Sequence, residues 1–451
     1  MDGFIGRAKE LSLLEKEYSK GSDLILVTGR RRVGKTRLLK EFMKGKDAVY
    51  YLATNEAETD MLKDFWDTVR PEGSMGIPEN WKQVFSSLVD GKRKLLVIDE
   101  FSYMVKMSSS FLVRFQGIYD EILKGSGITT VLCGSHMSIM NRLSEDVGGP
   151  LYGRFDRRIV LKPLPFDDIP SSGDIRRDIE LYSLHGGVPR YMELLDPVSP
   201  RENVIVNIME PNSMMFGDPL LLLQTDAGDS NVYLSILRAV ANGGHRSIDI
   251  SSALEMPAGR LSPYLMRLME IGMLRKEFPV FEKNEDSSKL GRYFLEDRFI
   301  QFWFRFVYPY RSALVRGEDT YAISRFDTDF IQRHVSFVFE DLCRDVVRKN
   351  HSRVGFVPER VGRYWSKDTE VDIVAIDSLS MKAFVGECKY RKDRPVDRHV
   401  LNELRAKVFR IRDLIGYEIT YGLFSISGFD ESLENEDVLL FGPEDFKVQP
   451  C

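Results

Sequence analysis

Cysteine is scarce in this chain. The four residues, Cys133, Cys343, Cys388 and Cys451, include no Cys-x-x-Cys pair, which argues against a disulfide framework and points to reduced thiols in a cytoplasmic protein. Long apolar runs are missing as well. No stretch reaches the roughly 20 residues that a membrane-spanning helix needs, and the opening MDGFIGRAKE lacks the charged-then-apolar profile of a secretory leader. No membrane partner is expected. A strong charge excess is also absent, with a formal net charge of −5 and a pI of about 5.9. That excludes a protein coating nucleic acid with its whole surface, but leaves room for a local basic patch. What remains is a folded, multidomain composition: 43% hydrophobic and 29% charged residues over 451 positions. This is too much chain for one core and enough for roughly three or four modules.

The most informative stretch is LILVTGRRRVGKT, Leu24 to Thr36. An apolar run of strand type precedes Gly29, Arg30, Arg31, Arg32, Val33, Gly34, Lys35 and Thr36, and RLLKEFMK follows with helical character. The pattern is G-x-x-x-x-G-K-[ST] between a strand and a helix. Gly29 and Gly34 let the loop curl so that backbone N–H groups converge on a phosphate. The helix adds its positive N-terminal end, where Arg37 also sits. Lys35 is expected to reach the β- and γ-phosphates, and Thr36 to offer its hydroxyl to Mg²⁺. A plain glycine turn between strand and helix is the competing explanation.

Further on, AVYYLA (Ala48 to Ala53) reads as a second strand and LLVIDE (Leu95 to Glu100) as a third. A buried strand that ends in two acids puts Asp99 beside the metal and leaves Glu100 to polarise an attacking water. TTVLC (Thr129 to Cys133) reads as a fourth strand ending at Gly134-Ser135-His136. Ser135 is then the polar group that senses the γ-phosphate, and His136 is a turn residue. In LYGRFDRRIVLKPL, Arg154 precedes another strand-like run and is a candidate for a neighbouring γ-phosphate. A surface charge cluster is the commoner explanation for such arginines.

FIGRAKEL, GRRRVGKT, VIDEFSYM, CGSHMSIM, LYGRFDRR and HGGVPRY occur in that order. Together they resemble the archaeal ATPase family, a branch of the AAA-like P-loop ATPases related to the STAND signalling ATPases. The resemblance covers about the first 200 residues. It implies ATP and Mg²⁺ as cofactors, a parallel sheet flanked by helices, and a helical lid that includes LHGGVPRY. Arg190 in that lid is a second arginine that can face the nucleotide.

From Asp167 to Gln224 the chain is mixed helical, with breakers at Pro170, Pro197, Pro200, Pro211 and Pro219. VYLSILRAV, then SIDISSAL starting at a serine cap, then AGRLSPYLMRLMEIGML after Pro257 read as three helices. LRKEFPVF and RYFLED complete a hairpin-like wing. The expectation is a winged helix-turn-helix whose third helix offers Arg260, Ser262, Tyr264 and Arg267 to a DNA major groove. Packing against neighbouring domains is the alternative. The aromatic run from Phe299 to Tyr310 is read as interdomain core.

Near the carboxy end, Glu340 lies in an apparent helix, Asp372 in the strand EVDIVAI, and Glu387 and Lys389 in GECKY. An acid on one strand followed by E-x-K on the next is the layout of the PD-(D/E)xK nuclease fold. Asp372 and Glu387 are expected to end adjacent strands and hold a hard cation, Mg²⁺ or Mn²⁺, with Glu340 orienting them or adding a ligand. Alternation places Glu387 and Lys389 on one face, where Lys389 positions a water or stabilises transition-state charge. FLEDRFIQFWFRF, VGRYWSKDTEVDIVAI and GECKYR resemble the carboxy-terminal domain of archaeal ATPases, which carries this nuclease-like pattern. The local excess of Arg344, Arg348, Lys349, Arg353, Arg360, Arg363, Lys367, Arg391, Lys392 and Arg394 suits a phosphate backbone, with a solvated, salt-laced face as the alternative.

The fold expected is multidomain α/β. A P-loop ATPase core (1–165) precedes a helical lid (166–228), a winged helix with an aromatic connector (229–312) and a restriction-endonuclease-like domain (313–451). Three activities fit: an ATPase that controls a DNA-directed, metal-dependent nuclease; a slow STAND-like switch or assembly scaffold, including a homo-oligomer, with a non-cleaving carboxy-terminal domain; and a DNA translocase.

Overall fold

The computed structural model describes residues 4–70, 76, 78–108, 110–196, 199–228 and 231–446, so Pro197 and Cys451 lie outside the described residues. The contacts divide the chain into two units: Met1–Leu164 with Val188–Glu193 and Glu270–Gly272, and the remainder.

The first unit is organised by an apolar strand whose side chains alternate between two cores. In β1 (Leu24–Gly29) all six residues are buried. Leu24 and Leu26 enter one apolar cluster with Phe65, Phe85 and Phe115, while Ile25 and Val27 enter another with Leu38, Leu39 and Phe42. A strand with apolar residues on both faces needs cover on both sides, which is the parallel α/β arrangement. β2 (Ala48–Leu52), β3 (Lys94–Asp99), β4 (Ile128–Gly134) and β5 (Arg157–Leu161) complete a five-stranded sheet. The order is β2-β3-β4-β1-β5, and every pair is parallel. All strands therefore end on the same edge. β1 runs through the phosphate loop into the helix Lys35–Met43.

The second unit contains helices Ile175–His185, Met214–Ala227, Asn231–Ala241, Ser247–Ala253 and Ala258–Glu270, the last of these ending at the Glu270–Gly272 segment of the first unit. Pro219, expected as a breaker, lies inside Met214–Ala227. Buried Met215, Phe216, Leu222 and Leu223 hold that helix on either side of it. Ser247 is the first helical residue rather than the cap. Arg246 stands at the cap, and its N–H donates to Asp249 Oδ2 at 3.2 Å. β6 (Leu274–Glu277) and β7 (Arg292–Leu295) then form a two-stranded antiparallel hairpin.

The aromatic run forms the helix Arg298–Phe306, with Phe299, Phe302, Trp303, Phe304 and Phe306 fully enclosed. Phe302 and Phe306 pack around His334, whose Nε2 lies 2.8 Å from the Ser183 carbonyl. A separate carboxy-terminal sheet holds β8 (Arg360–Trp365), β9 (Glu370–Asp377), β10 (Lys382–Lys389), β11 (Glu418–Ser425) and β12 (Leu439–Phe441) in the order β12-β11-β10-β9-β8. β8, β9 and β10 pair antiparallel, whereas β10-β11 and β11-β12 are parallel. The helix Arg398–Val408 is the crossover between the parallel strands β10 and β11. Among the described residues no helix is long and apolar enough to cross a membrane.

Burial holds the imidazoles of His185 and His334 at a pKa of about 3, against an ordinary 6.5. A depressed histidine contributes stability that is complete above 6.5 and is lost as pH falls. The protein should therefore weaken between pH 6.5 and 5, before most carboxylates titrate. His334→Gln should flatten that dependence in denaturant midpoints measured across the window. An unchanged slope would count against the buried neutral imidazole.

Candidate functional site

The phosphate loop bends where glycine is required. Gly29 has φ 155°, and a Cβ there would stand 2.6 Å from the Leu161 carbonyl oxygen; Gly34 has φ 91°. Arg32 takes a left-handed φ of 72° without being glycine, a local strain carried inside the loop. Lys35 Nζ donates to the carbonyls of Gly29 at 2.9 Å and Arg30 at 3.0 Å, so its ammonium lies in the loop's own concavity. Arg31 reaches the Tyr103 hydroxyl at 3.3 Å. Thr36 Oγ1 donates to Asp99 Oδ2 at 2.6 Å, which brings the helix start and the end of β3 together.

Asp99 is almost fully buried, and its Oδ2 also accepts from the Tyr50 hydroxyl at 2.9 Å. Tyr50 was not anticipated from the sequence; burial and the neighbouring carboxylate hold its phenol protonated. A hydroxyl and a carboxylate in contact make an oxygen donor set of the kind a hard cation takes, so Thr36 and Asp99 fit a Mg²⁺ ion. Glu100 has a left-handed φ of 52°, and both its carboxylate oxygens accept from Ser135 Oγ at 2.8 Å. Ser135 is thus joined to Glu100. His136 is neutral, its pKa pushed down to about 4 by burial and by Lys106, whose Nζ is 3.1 Å from Nε2.

The two arginines singled out for the γ-phosphate are differently placed. Arg154 makes a two-pronged pair with Asp120, at 3.0 and 2.8 Å. Arg190 pairs with Glu193 at 3.1 Å, and the other oxygen of Glu193 takes Arg37 at 3.2 Å. A small cleft opens beside the loop, lined by Phe4, Ile5, Arg7, Val33, Gly34, Arg37, Leu164, Pro189, Met192 and Glu193. Arg7 donates to the Val33 carbonyl at 2.9 Å and to the Lys162 carbonyl at 2.5 Å, fixing the amino-terminal segment to the loop. The sequence offered no chemical signal for Phe4, Ile5 or Met192, which are ordinary apolar residues until the fold collects them.

In the carboxy-terminal sheet, Asp372 lies near the start of β9 rather than its end, and Glu387 lies near the end of β10. Antiparallel pairing, with Ile373 opposite Gly386, makes them neighbours all the same. The Cys388 N–H donates to Asp372 Oδ2 at 2.9 Å. Glu387 is 6% exposed. Its Oε1 accepts from Lys389 at 2.7 Å, and Lys407, from the following helix, reaches Oε1 at 2.9 Å and Oε2 at 2.8 Å.

Glu340 pairs with Arg363 at 2.8 Å, yet burial and nearby Asp372 push its pKa up to about 8. Asp372 is raised to about 6 by burial and by Glu387. Among the described residues no group of three or more His, Cys, Asp or Glu side chains converges to hold a metal ion. Glu340, Asp372 and Glu387 therefore neighbour one another without forming one three-acid ligand set.

Several of the basic residues counted toward a phosphate surface have partners within the chain, although Arg348, Lys349 and Arg353 remain 48%, 51% and 39% exposed. Arg344 is 5% exposed and joins Asp341; Arg348 pairs with Asp345, Lys349 with Asp167, Arg353 with Asp445, and Arg360 donates to the Glu282 carbonyl. Lys367 and Lys392 remain exposed. On the helix Ala258–Glu270, Arg260 and Ser262 are exposed, whereas Tyr264 packs on Tyr233 and Arg267 donates to the Asp226 carbonyl. Cys133, Cys343 and Cys388 are free and buried.

Comparison with known proteins agrees with these two parts of the chain. Residues 4–195 match the family described as an ATPase domain predominantly from Archaea, and residues 303–403 match a family of archaeal and bacterial proteins of unknown function. An uncharacterized protein of Methanocaldococcus jannaschii is 30% identical over 452 aligned residues, which cover 98% of this chain and 100% of that protein. An uncharacterized ATP-binding protein of the same organism is 46% identical over 44 residues, 10% of this chain and 75% of its own. A solved Walker-type ATPase of Pyrococcus abyssi superposes with a TM-score of 0.50 at 20% identity, covering 67% of this chain and 96% of its own. That likeness is one of fold. The chain belongs to the archaeal ATPase family, with that family's ATPase domain followed by the carboxy-terminal domain of unknown function.

Proposed function

We propose that the protein hydrolyses MgATP and that its nucleotide state governs a DNA-directed carboxy-terminal domain. The observation that carries the first half is the contact of Thr36 with Asp99 beneath a loop that folds Lys35 inward. Lys35 and the loop N–H groups bind the β- and γ-phosphates, and the apolar cleft from Phe4 to Met192 receives the base. Thr36 and Asp99 hold Mg²⁺, which when bound neutralises charge on the phosphates. Glu100 accepts the proton of the attacking water, and Ser135 holds that carboxylate in place until the γ-phosphate arrives. Of the two arginines, Arg190 is the better placed for this chain's own nucleotide, since Glu193 links it to Arg37 at the cleft. Arg154 is left for a neighbouring copy.

The remaining assignments rest on pattern and topology. We take residues 1–165 as the ATPase core, 166–228 as the lid, 229–312 as a winged helix with its connector, and 313–451 as a PD-(D/E)xK-like domain. Three helices followed by a hairpin support the winged helix. A mixed sheet with Asp372 and Glu387 on neighbouring strands supports the nuclease-like fold, with phosphodiester DNA as substrate and Mg²⁺ or Mn²⁺ at Asp372 and Glu387. A second reading has its own support. Every acid of that cluster already has a partner within the chain, which suits a STAND-like switch whose carboxy-terminal domain binds without cutting.

Five outcomes test these readings. Glu100→Gln should keep ATP binding and lower turnover by about 10²-fold or more, while Lys35→Ala should lose binding in a fluorescent-nucleotide titration. Gly29→Ala should also abolish binding, because its Cβ has no room against Leu161; normal affinity in that variant would sink the loop geometry. DNA should raise the ATPase rate if nucleotide state and DNA are coupled. Metal-dependent cleavage of plasmid or single-stranded DNA should disappear in Asp372→Ala. Equal cleavage by both proteins, or none under any nucleotide condition, removes the nuclease and favours the switch.

A further inference from the structure

Three parts of the first sheet and its flanking helix send a donor to the carboxylate of Asp99. The helix Lys35–Met43 supplies the Thr36 hydroxyl, 2.6 Å from Oδ2. β2 supplies the Tyr50 hydroxyl, 2.9 Å from the same oxygen. The Glu100 N–H, just past the end of β3, donates to Oδ1 at 2.9 Å. The last torsion of an aspartate side chain is soft, and a single donor swings with it. Donors on both oxygens, fixed to separate elements, set the plane of the group.

The Thr36 hydroxyl has one proton and two lone pairs. While Asp99 takes the proton, Thr36 has only lone pairs to offer, which is what a hard cation requires of an oxygen. With Asp99 turned away, that proton is free to point at the ion and oppose it. The orientation of Asp99 therefore decides whether Thr36 is a ligand. Tyr50 is well placed to hold that orientation. Its ring packs against the apolar cluster of Ile25, Val27, Leu38 and Leu95, with the Lys40 ammonium 5.8 Å from the ring centroid. Pairing of β2 with β3 sets Tyr50 opposite Val97, two residues before Asp99. Burial and the Asp99 charge keep the phenol protonated, so toward this carboxylate it donates.

We propose that Tyr50 is a positioning residue for magnesium–nucleotide binding: its hydroxyl fixes the carboxylate of Asp99, and Asp99 in turn fixes the Thr36 hydroxyl with its lone pairs toward the ion. This rests on the reading of Thr36 and Asp99 as the Mg²⁺ site. Tyr50 acts through Asp99 alone. Its contribution is confined to the part of nucleotide affinity that depends on Mg²⁺, and the grip of Lys35 and the loop N–H groups on the phosphates does not need it.

The test uses the full-length protein and a fluorescent, non-hydrolysable β,γ-imido analogue of ATP, titrated once in excess Mg²⁺ and once in EDTA. The ratio of the two affinities measures what the ion contributes. Tyr50→Phe removes one oxygen and keeps the ring. It should lower that ratio about tenfold and leave the affinity in EDTA at the wild-type value. An unchanged or larger ratio overturns the proposal. So does an equal loss in both titrations, which is what a general loosening of the loop would give. In an Asp99→Asn background the same substitution should add nothing, and a full tenfold effect there overturns the proposal as well. Should Tyr50→Phe not fold, a carbon-isotope label at Cζ of Tyr50 reads the bond in the wild type. Its resonance should keep a hydrogen-bonded position when Mg²⁺ and the analogue are added; a move to the position of solvent-exposed tyrosines overturns the proposal. Asp99→Asn and Thr36→Val separate the two layers. If both leave the ratio at the wild-type value, the Mg²⁺ reading itself fails. If both abolish the Mg²⁺ dependence while Tyr50→Phe retains it, only the role of Tyr50 fails.

Discussion

A carboxylate removed from water must be given a counter-charge, hydrogen-bond donors or a proton, and the structure is arranged around how each enclosed acid meets that demand. Glu17, fully enclosed beside the first sheet, takes Ser22, Arg157 and Lys20, which hold its pKa down to about 2. Asp99 takes two hydroxyls, from Thr36 and Tyr50. Asp341 draws Arg344, with Arg298 at 3.5 Å, Arg275 at 3.7 Å and Arg363 at 3.9 Å. Those arginines arise from the hairpin strand β6, the aromatic helix, the helix Ser336–Lys349 and β8, so one carboxylate ties four elements of the second unit together. Such clusters add little net stability over apolar packing, but removing one partner leaves a buried charge exposed to the full cost, about 3–5 kcal/mol. They fix arrangement more than they raise stability.

The chosen partner tells what the acid is for. Asp99 is met by neutral donors, the hydroxyls of Thr36 and Tyr50 and the Glu100 N–H. Asp341 is overmatched by guanidinium groups, and its carboxyl lies well below the usual range; it has nothing left to offer a ligand. Glu100 sits between these cases, held by the Ser135 hydroxyl on a backbone with positive φ. A left-handed backbone at a residue other than glycine is the kind of strain that proteins tend to concentrate at functional sites.

How much of this was legible in the sequence depends on how far apart the participants lie. The phosphate loop was readable because its chemistry is local: Gly29, Gly34, Lys35 and Thr36 act within eight consecutive positions, and β1 advertises itself by an unbroken apolar run. Asp99 and Glu100 were readable because a strand that stops at two acids is itself a pattern. Tyr50 was not, since a tyrosine in AVYYLA looks like any strand residue until β2 pairs with β3 and turns it toward Asp99. Lys407 is hidden more deeply. It lies in a helix rich in charged residues, where solvent exposure is the ordinary explanation, and only the crossover between β10 and β11 brings it to Glu387. The basic surplus was legible only in part, because a count of arginines cannot register that Arg344 and Arg363 are enclosed beside Glu340 and Asp341.

The lysine of the phosphate loop and the pair at Glu387 also differ in what they rest on. At the phosphate loop Lys35 donates to the carbonyls of Gly29 and Arg30, which are neutral acceptors. A phosphate offers the ammonium a charged partner in place of neutral ones, so binding separates no ion pair and the site stands open to nucleotide. At Glu387 the lysines already face a carboxylate in an enclosed setting. The same residue type therefore rests on peptide carbonyls in one unit and on a buried acid in the other, and only the second arrangement has to be broken as an ion pair before the ammonium can turn elsewhere.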